Sequence, residues 1–430
     1  MSNERDFRQM LSQKVSASTA GLWLLVPEYL RLGAWNILKG WTGKQDTDLE
    51  PRMALQVANE SAMCVNRIRK KDSLSHQGFQ LLNGMGQMIT DTQIHYLLNA
   101  HSMEQTQQML HNLALQRKLL GHYVGKLISM DPHRLISTSK RVMTKKQKYT
   151  KKPAEKMIQT YFSVCAETGQ PILLLMGSTG RLTSEASREL VKHTAQIINN
   201  PAIVVADKEH FIQGLFETTH QHPLFDLLCP VIKNGKVSRQ LKSLDYTRRW
   251  AGFFLDESEF SFHQDDRKYR LIAQRTGEIE PEYAYNGFIT TSEQDAKELI
   301  CDKYTNRWSV ETFFNFEKGS SLDRASTHNL NIRYGKMALA MLGQAACYQL
   351  RQKLHEKYQK WNAQHLAREV LAYADGDVRV KDDTIVVTFY GPSEHIKKEH
   401  YENLPHLLAR EGLDPKIPWL YNFKLDFRFK

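Results

Sequence analysis

The sequence predicts an α/β protein with a mixed sheet, a β-rich insertion and a helical N-terminal domain. Three observations carry this. Residues 1 to 120 place apolar residues at helical spacing and show no strand pattern. From residue 124 onward, short apolar runs alternate with helix-like stretches. Between about 233 and 290 the chain turns to short strands rich in charge and aromatics, which reads as an insertion.

In the N-terminal part, Ala54, Leu55, Ala58, Ala62, Val65 and Ile68 recur at helical spacing before the breaker LLNGMG. Asp91 is a candidate cap for a helix through Leu98, and Ser102 for one through Leu120. VGKLISMD then reads as a buried strand ending at Asp131. QTYFSVCA and PILLLMG are two further strands, joined by the turn-like ETGQ. A helix starts at Ser184 and stops at NNP, residues 199 to 201. AIVVAD is a strand ending at Asp207, FIQGLFETTH is helix-like, and DLLCPVI is a strand. Three strands, helix, strand, helix, strand suit a sheet with a hairpin-linked antiparallel part and strands joined through helices. RRWAGFFLD and KYRLIAQR are strands of the insertion. MALAMLGQAACYQL reads as a buried helix, IVVTFYG as a strand, and YNFKLDFRFK alternates apolar and charged residues.

Composition narrows the class. With 41% hydrophobic and 10% aromatic residues the chain is globular, not disordered. A net charge of +11 over 430 residues points to a polyanionic partner. Cys64, Cys165, Cys229, Cys301 and Cys347 form no CxxC pair, which argues against zinc and a disulfide framework and for a reducing, intracellular setting. No stretch at the start reads as a signal peptide. Pro27, Glu28 and Arg31 interrupt the apolar segment from Leu22 to Leu38, so no membrane span is expected.

The segment YTNRWSVETFFNFEKGSSLDR, residues 304 to 324, concentrates the chemistry. At about 100° per residue, Tyr304, Arg307, Glu311 and Lys318 fall within an arc of roughly 60°, with Val310, Phe313 and Phe316 nearly opposite. Such a face is either a solvated, salt-bridged surface or a carboxylate flanked by cations for use on a ligand. Asp131 and Asp207 each end a strand, where α/β sheets build their sites. Each serves equally as a turn or helix-capping residue. Three carboxylates converging on one point need cations between them. Two Mg²⁺ (or Mn²⁺) ions about 4 Å apart would supply these and act on a phosphodiester. Residues 139 to 156 carry eight basic side chains and one acidic, a solvated loop or a DNA arm that would use Lys145, Lys146, Lys148, Lys151 and Lys152.

Tyr304, Arg307, Glu311 and Lys318, with two, three and six residues between them and two acidic strand ends upstream, resemble the signature of DDE-type insertion-sequence transposases. The resemblance covers about residues 125 to 335 and implies an RNase H-like catalytic core. It implies that Asp131, Asp207 and Glu311 bind the metals, and that Tyr304, Arg307 and Lys318 hold phosphates of the element end. It implies a cut-and-paste enzyme acting on double-stranded DNA, at terminal inverted repeats and target, as a homodimer in the synaptic complex. The setting would be the cytoplasm and nucleoid of a prokaryotic cell. Two other functions share these residues: a metal-dependent nuclease without strand transfer, and a retired transposase acting as a DNA-binding regulator. The expected division is a helical DNA-end-binding domain (1–120), core (121–232), insertion (233–290), remaining core with the catalytic helix (291–376) and a C-terminal region (377–430) for oligomerisation or DNA contact. Related enzymes can make a hairpin on the element end, for which Trp250, with Arg248 and Arg249 beside it, is the candidate to hold a flipped base. Trp250 serves equally as a core residue of the insertion.

Overall fold

The computed structural model describes residues 2–430 except 18, 66–75, 88, 138–141, 143–144, 147–152, 178–179, 251, 264–265, 323–326, 328, 373–374 and 391–393, and the side chains of 2, 146 and 250. The chain folds as two compact units. One comprises residues 121–135 and 142–313; the other comprises 1–120, 136–141 and 314–430.

The first unit is a mixed sheet with helices. Its strands are β1 (Leu127–Ile136), β2 (Glu155–Cys165), β3 (Gln170–Gly177), β4 (Ala202–Ala206), β5 (Phe225–Pro230), β6 (Arg248–Trp250), β7 (Phe253–Phe260), β8 (Tyr269–Thr276) and β9 (Ala284–Thr290). They hydrogen-bond in the order β3-β2-β1-β4-β5-β9-β8-β7-β6, and the two-residue strand Lys145–Lys146 pairs with the start of β2. β2 and β3 form the antiparallel hairpin, turned at Gly169 with φ +65°, which a side chain would strain. β1, β4 and β5 run parallel. β4 is AIVVA, buried at every position, as a parallel strand covered on both faces requires. Helix α1 (Thr183–Ile197) packs on β2 and β3, and α2 (Gln213–His220) on α1 and β5. This is the mixed sheet, part antiparallel hairpin and part parallel strands joined through helices, that the sequence leads one to expect.

The insertion does not stand apart. β9 pairs antiparallel with β5, so β6 to β9 continue the same sheet. Leu127 and Val205 of the parallel strands share one buried cluster with Leu255, Ile272 and Phe288 of the insertion strands.

Three expectations need correction here. β1 does not end at Asp131 but runs to Ile136. Only its pairing with β4 stops there, at Met130 opposite Ala206. Pro132, which lacks an N–H, sits just past that point. The segment 304–324 is not one regular α-helix. A π-helical turn (Glu298–Lys303) leads into a 3₁₀ turn (Tyr304–Trp308) and then an α-helix (Ser309–Phe316), with Lys318 beyond its end. The N-terminal 120 residues do contain a strand, Val15–Ala17. Three residues are too few to show a period; it exists by borrowing the ladder of Asp375–Lys381.

The second unit is helices around a small sheet. Leu330–Gln352 is buried nearly all round and packs on Glu50–Ala62, Asp91–Asn99 and Met103–Leu119. Gly343 permits the closest approach: a Cβ there would stand 2.4 Å from the Ala58 carbonyl oxygen. Ser102 caps Met103–Leu119 as expected, whereas Thr90, not Asp91, caps Asp91–Asn99, through a capping box with Gln93. The helix Glu50–Ala62 stops short of Val65, at Cys64 with φ 58°, and Ile68 lies outside the described residues. Asp375–Lys381, Thr384–Tyr390 and Lys424–Phe429 complete the sheet, the last parallel to its neighbour.

Inside this unit Arg351 Nη1 meets Glu317 Oε1 at 3.0 Å, both side chains 2% exposed. Removing one partner strands a buried charge. Arg351→Ala should therefore lower unfolding stability by about 3–5 kcal/mol, and pairing it with Glu317→Leu should recover much of that. Urea midpoints at pH 7 measure both; equal midpoints for Arg351→Ala and the parent would contradict it.

Candidate active site

Three elements of the first unit bring the site together. The end of the β1–β4 pairing presents Asp131, the end of β4 presents Asp207, and the helical segment after β9 presents Tyr304, Arg307 and Glu311. In the 3₁₀ turn, residues i and i+3 eclipse, so Tyr304 and Arg307 stack on one side. The α-helix then sets Glu311 one turn on, with its Oε1 3.6 Å from Arg307 Nη2. Val310 and Phe313 fill the opposite face as the sequence leads one to expect, Phe313 against Phe162.

The change of pitch has a local cause. The buried Ser129 hydroxyl donates to the Asn306 carbonyl at 3.2 Å and accepts from the Ser309 hydroxyl at 2.9 Å. A strand side chain is thereby pinned to the junction between the 3₁₀ and α turns. Ser129 lies two residues before Asp131, so the strand's period of two puts both on one face.

The electrostatics centre on Arg307, which is 8% exposed. Burial alone would lower its pKa, but Tyr304, Asp207, Asp131 and Glu311 together raise it. Its guanidinium carbon lies 5.2 Å from the Trp308 ring centre and 6.0 Å from that of Tyr304, and its buried Nε has no hydrogen-bond partner. The Asp131 carboxyl is pushed up to about 7, first by burial, with Arg307 opposing and Asp207, Glu311 and Glu209 adding to the rise. Tyr304 packs edge-on to Phe288 at 4.9 Å, and burial pushes its hydroxyl up to about 12. Asp207 also caps the turn Lys208–His210, its Oδ1 accepting from the Lys208 N–H at 2.7 Å. The capping reading of Asp207 thus holds alongside its place in the site.

Arg134 and Glu209, which sequence reasoning missed, form an ion pair at this edge. Only the offset from Asp131 and Asp207, three and two residues, hinted at them.

The other candidates stand elsewhere. Lys318 is exposed and belongs to the second unit. Arg248 pairs with Asp295 and Arg249 with Glu278, each at 2.8 Å. Trp250 pairs through its backbone with Phe253, and its side chain lies outside the described residues. Lys145 is exposed in its short strand with Lys146; Lys148, Lys151 and Lys152 lie outside the described residues.

Among the described residues no three His, Cys, Asp or Glu side chains form a ready metal cage. Asp131, Asp207 and Glu311 share one electrostatic neighbourhood, and Arg307 supplies its positive charge. Their donor chemistry still suits a hard divalent ion: carboxylate oxygens, with that of Asp131 pushed up first by burial and then by its acidic neighbours.

That strain has a stability consequence. The folded Asp131 value of about 7 lies above the ordinary 3.8, so folding takes up a proton between those limits. Stability from this group is complete below 3.8 and lost as pH rises through 7. Asp131→Asn should stabilise the metal-free protein at pH 8 by on the order of 3 kcal/mol, the gain vanishing towards pH 4. Urea unfolding in EDTA at both pH values checks this, and no gain at pH 8 would refute it.

The transposase DDE domain family model matches residues 125–344, more than half of the chain. No curated protein matches the chain. Among solved structures, one match is the cryo-EM structure of a piggyBac transposase synaptic complex with hairpin DNA. It is 11% identical, with a TM-score of 0.44 over 84% of this chain and 82% of that one. With the family model spanning Asp131, Asp207 and the helix of Glu311, the chain belongs to the transposase DDE domain family.

Proposed function

We propose that the chain is a metal-dependent DNA transposase that cuts at the ends of its element and joins them to target DNA. The observation that carries this reading is the half-buried carboxyl of Asp131, raised first by loss of water, opposed by Arg307, and raised further by Asp207 and Glu311. An enzyme that must gather cations at a phosphodiester has use for such an arrangement; a DNA-binding regulator has none.

In this reading Asp131, Asp207 and Glu311 hold two divalent cations. Bound there, the cations would activate the attacking oxygen and neutralise charge building on the phosphate. Arg307 holds the non-bridging phosphate oxygens and keeps Glu311 in register, and Tyr304 walls the phosphate on the far side from solvent. Lys318 and the basic segment bearing Lys145, Lys146, Lys148, Lys151 and Lys152 bind the backbone of the duplex. Water attacks phosphorus and the P–O3′ bond breaks, leaving a free 3′-hydroxyl. That hydroxyl then attacks a phosphate of target DNA, its proton lost and the target's own 3′-oxygen leaving. A homodimer would hold two ends together. Trp250, flanked by Arg248 and Arg249, would hold a flipped base if cutting passes through a hairpin.

Labelled duplexes carrying the inverted repeats beside the gene, incubated with Mg²⁺ and resolved into nicked, hairpin and joined products, test the reading. Asp131→Ala, Asp207→Ala and Glu311→Ala should each abolish cutting while keeping end binding, and Ca²⁺ should support binding with poor cutting. Cutting without joining would favour the nuclease alternative, and full cutting by any of the three variants would remove that residue from the site. Arg307→Lys should fail to restore what Arg307→Ala loses if the phosphate contact is two-pronged. Neutralising the five lysines should flatten the log–log salt dependence of binding by about 0.9 per lost phosphate contact. An unchanged slope would mean that they do not touch DNA.

A further inference from the structure

The long helix Leu330–Gln352 of the second unit begins with a cation in an unfavourable place. Arg333 is its fourth residue and is 3% exposed. None of its three guanidinium nitrogens finds a hydrogen-bond partner among the described residues. Burial alone acts on its charge, pulling its pKa down to about 10. The first turn of the helix holds no acidic side chain. A helix N-terminus carries roughly half a positive charge, which favours anions there and disfavours a cation.

Other buried arginines are placed differently. Arg52 donates to the Gly84 carbonyl at 3.1 Å, Arg117 to Gln344 Oε1 at 3.1 Å, and Arg351 to Glu317 Oε1 at 3.0 Å. Arg307 faces Glu311 at 3.6 Å. Arg333 bears the cost of burial without a compensating contact.

The missing partner can be described from what surrounds the gap. A guanidinium is a planar fork that suits two oxygens of one group. A helical side chain leans back towards the helix N-terminus, which brings this fork to the turn where positive charge already gathers. Asn329 Oδ1 accepts from the N–H groups of Asn331 and Ile332 at 3.0 and 3.3 Å. The backbone there contributes its dipole, and Arg333 supplies the free donors. A tetrahedral oxyanion on the fork would neutralise the buried charge, fill its donors and complement the helix end together. The net charge of +11 draws such anions to the chain.

We propose that Arg333 and the first turn of Leu330–Gln352 form a seat for one phosphate group, either free phosphate or a phosphate of a nucleic-acid backbone. The seat lies in the second unit and does not depend on the transposase reading. Its occupation would stabilise the helix that packs on Glu50–Ala62, Asp91–Asn99 and Met103–Leu119.

The test compares the full-length parent with Arg333→Met and Arg333→Gln, which remove the charge and keep most of the side chain. In chloride alone each variant should melt at or above the parent, since no internal partner is stranded. Sodium phosphate replacing chloride at constant ionic strength should raise the parent's melting temperature saturably, by about 3–6 °C more than that of either variant. A rise common to all three proteins is the general effect of salt type. A DNA duplex of arbitrary sequence tells the two sources apart. Tighter binding by the parent, with a log–log salt slope steeper by about 0.9, marks a backbone phosphate. Equal duplex binding, with the parent's excess response to phosphate intact, marks the free anion. Equal behaviour of the three proteins in both titrations would overturn the seat. Variants that melt well below the parent in chloride, or do not fold, would give Arg333 an internal partner and overturn it too. The parent alone also decides: no saturable response to phosphate, and duplex binding that phosphate does not compete, would exclude the seat.

Discussion

The guanidinium of Arg307 is withdrawn from water and faces Asp131, Asp207 and Glu311 from within the same unit. A buried cation is tolerable only when anions surround it, and half-buried carboxylates crowd together more readily when a cation stands among them. Each side makes the other possible. Two strands, the 3₁₀ turn and the following helix bring these charges together. The serine link from β1 to the helical junction then fixes the distance at which the charges meet.

The sheet makes this arrangement rigid. β1, β4 and β5 run parallel where they pair, so the paired stretches that precede Asp131 and Asp207 cannot shift independently. The helical segment leans on the same core through Tyr304 and the cluster containing Leu299 and Ile300. A charge cluster on loops alone would relax towards solvent. Here relaxation would require moving packed strands.

Much of this was legible in the sequence for identifiable reasons. Runs such as PILLLMG and AIVVA are apolar throughout, as buried strands are, and ETGQ carries a glycine, Gly169, suited to the turn. The pairing of Arg307 with Glu311 was legible because four residues make one helical turn. The change of pitch at Trp308 was not, since it depends on Ser129, some 180 residues away in the chain. Lys318 read as part of the same helix because periodicity does not reveal where a helix stops. The continuation of β1 past Asp131 was hidden by Pro132, normally a strand breaker but harmless where no partner awaits its N–H. Val15–Ala17 was invisible because its reason for being a strand lies in Asp375–Lys381.

The continuous hydrogen-bonding of β5 to β9 bears on how such a protein can change over evolutionary time. An appended domain on a tether can be lost or exchanged cleanly. These strands cannot, because their removal would leave the backbone of β5 as an open edge, its Leu227, Leu228 and Cys229 buried at present. An edge of that kind recruits other chains and aggregates. Variation in this region is thus channelled into the turns between β6 and β9, where length and sequence can drift while the ladder persists.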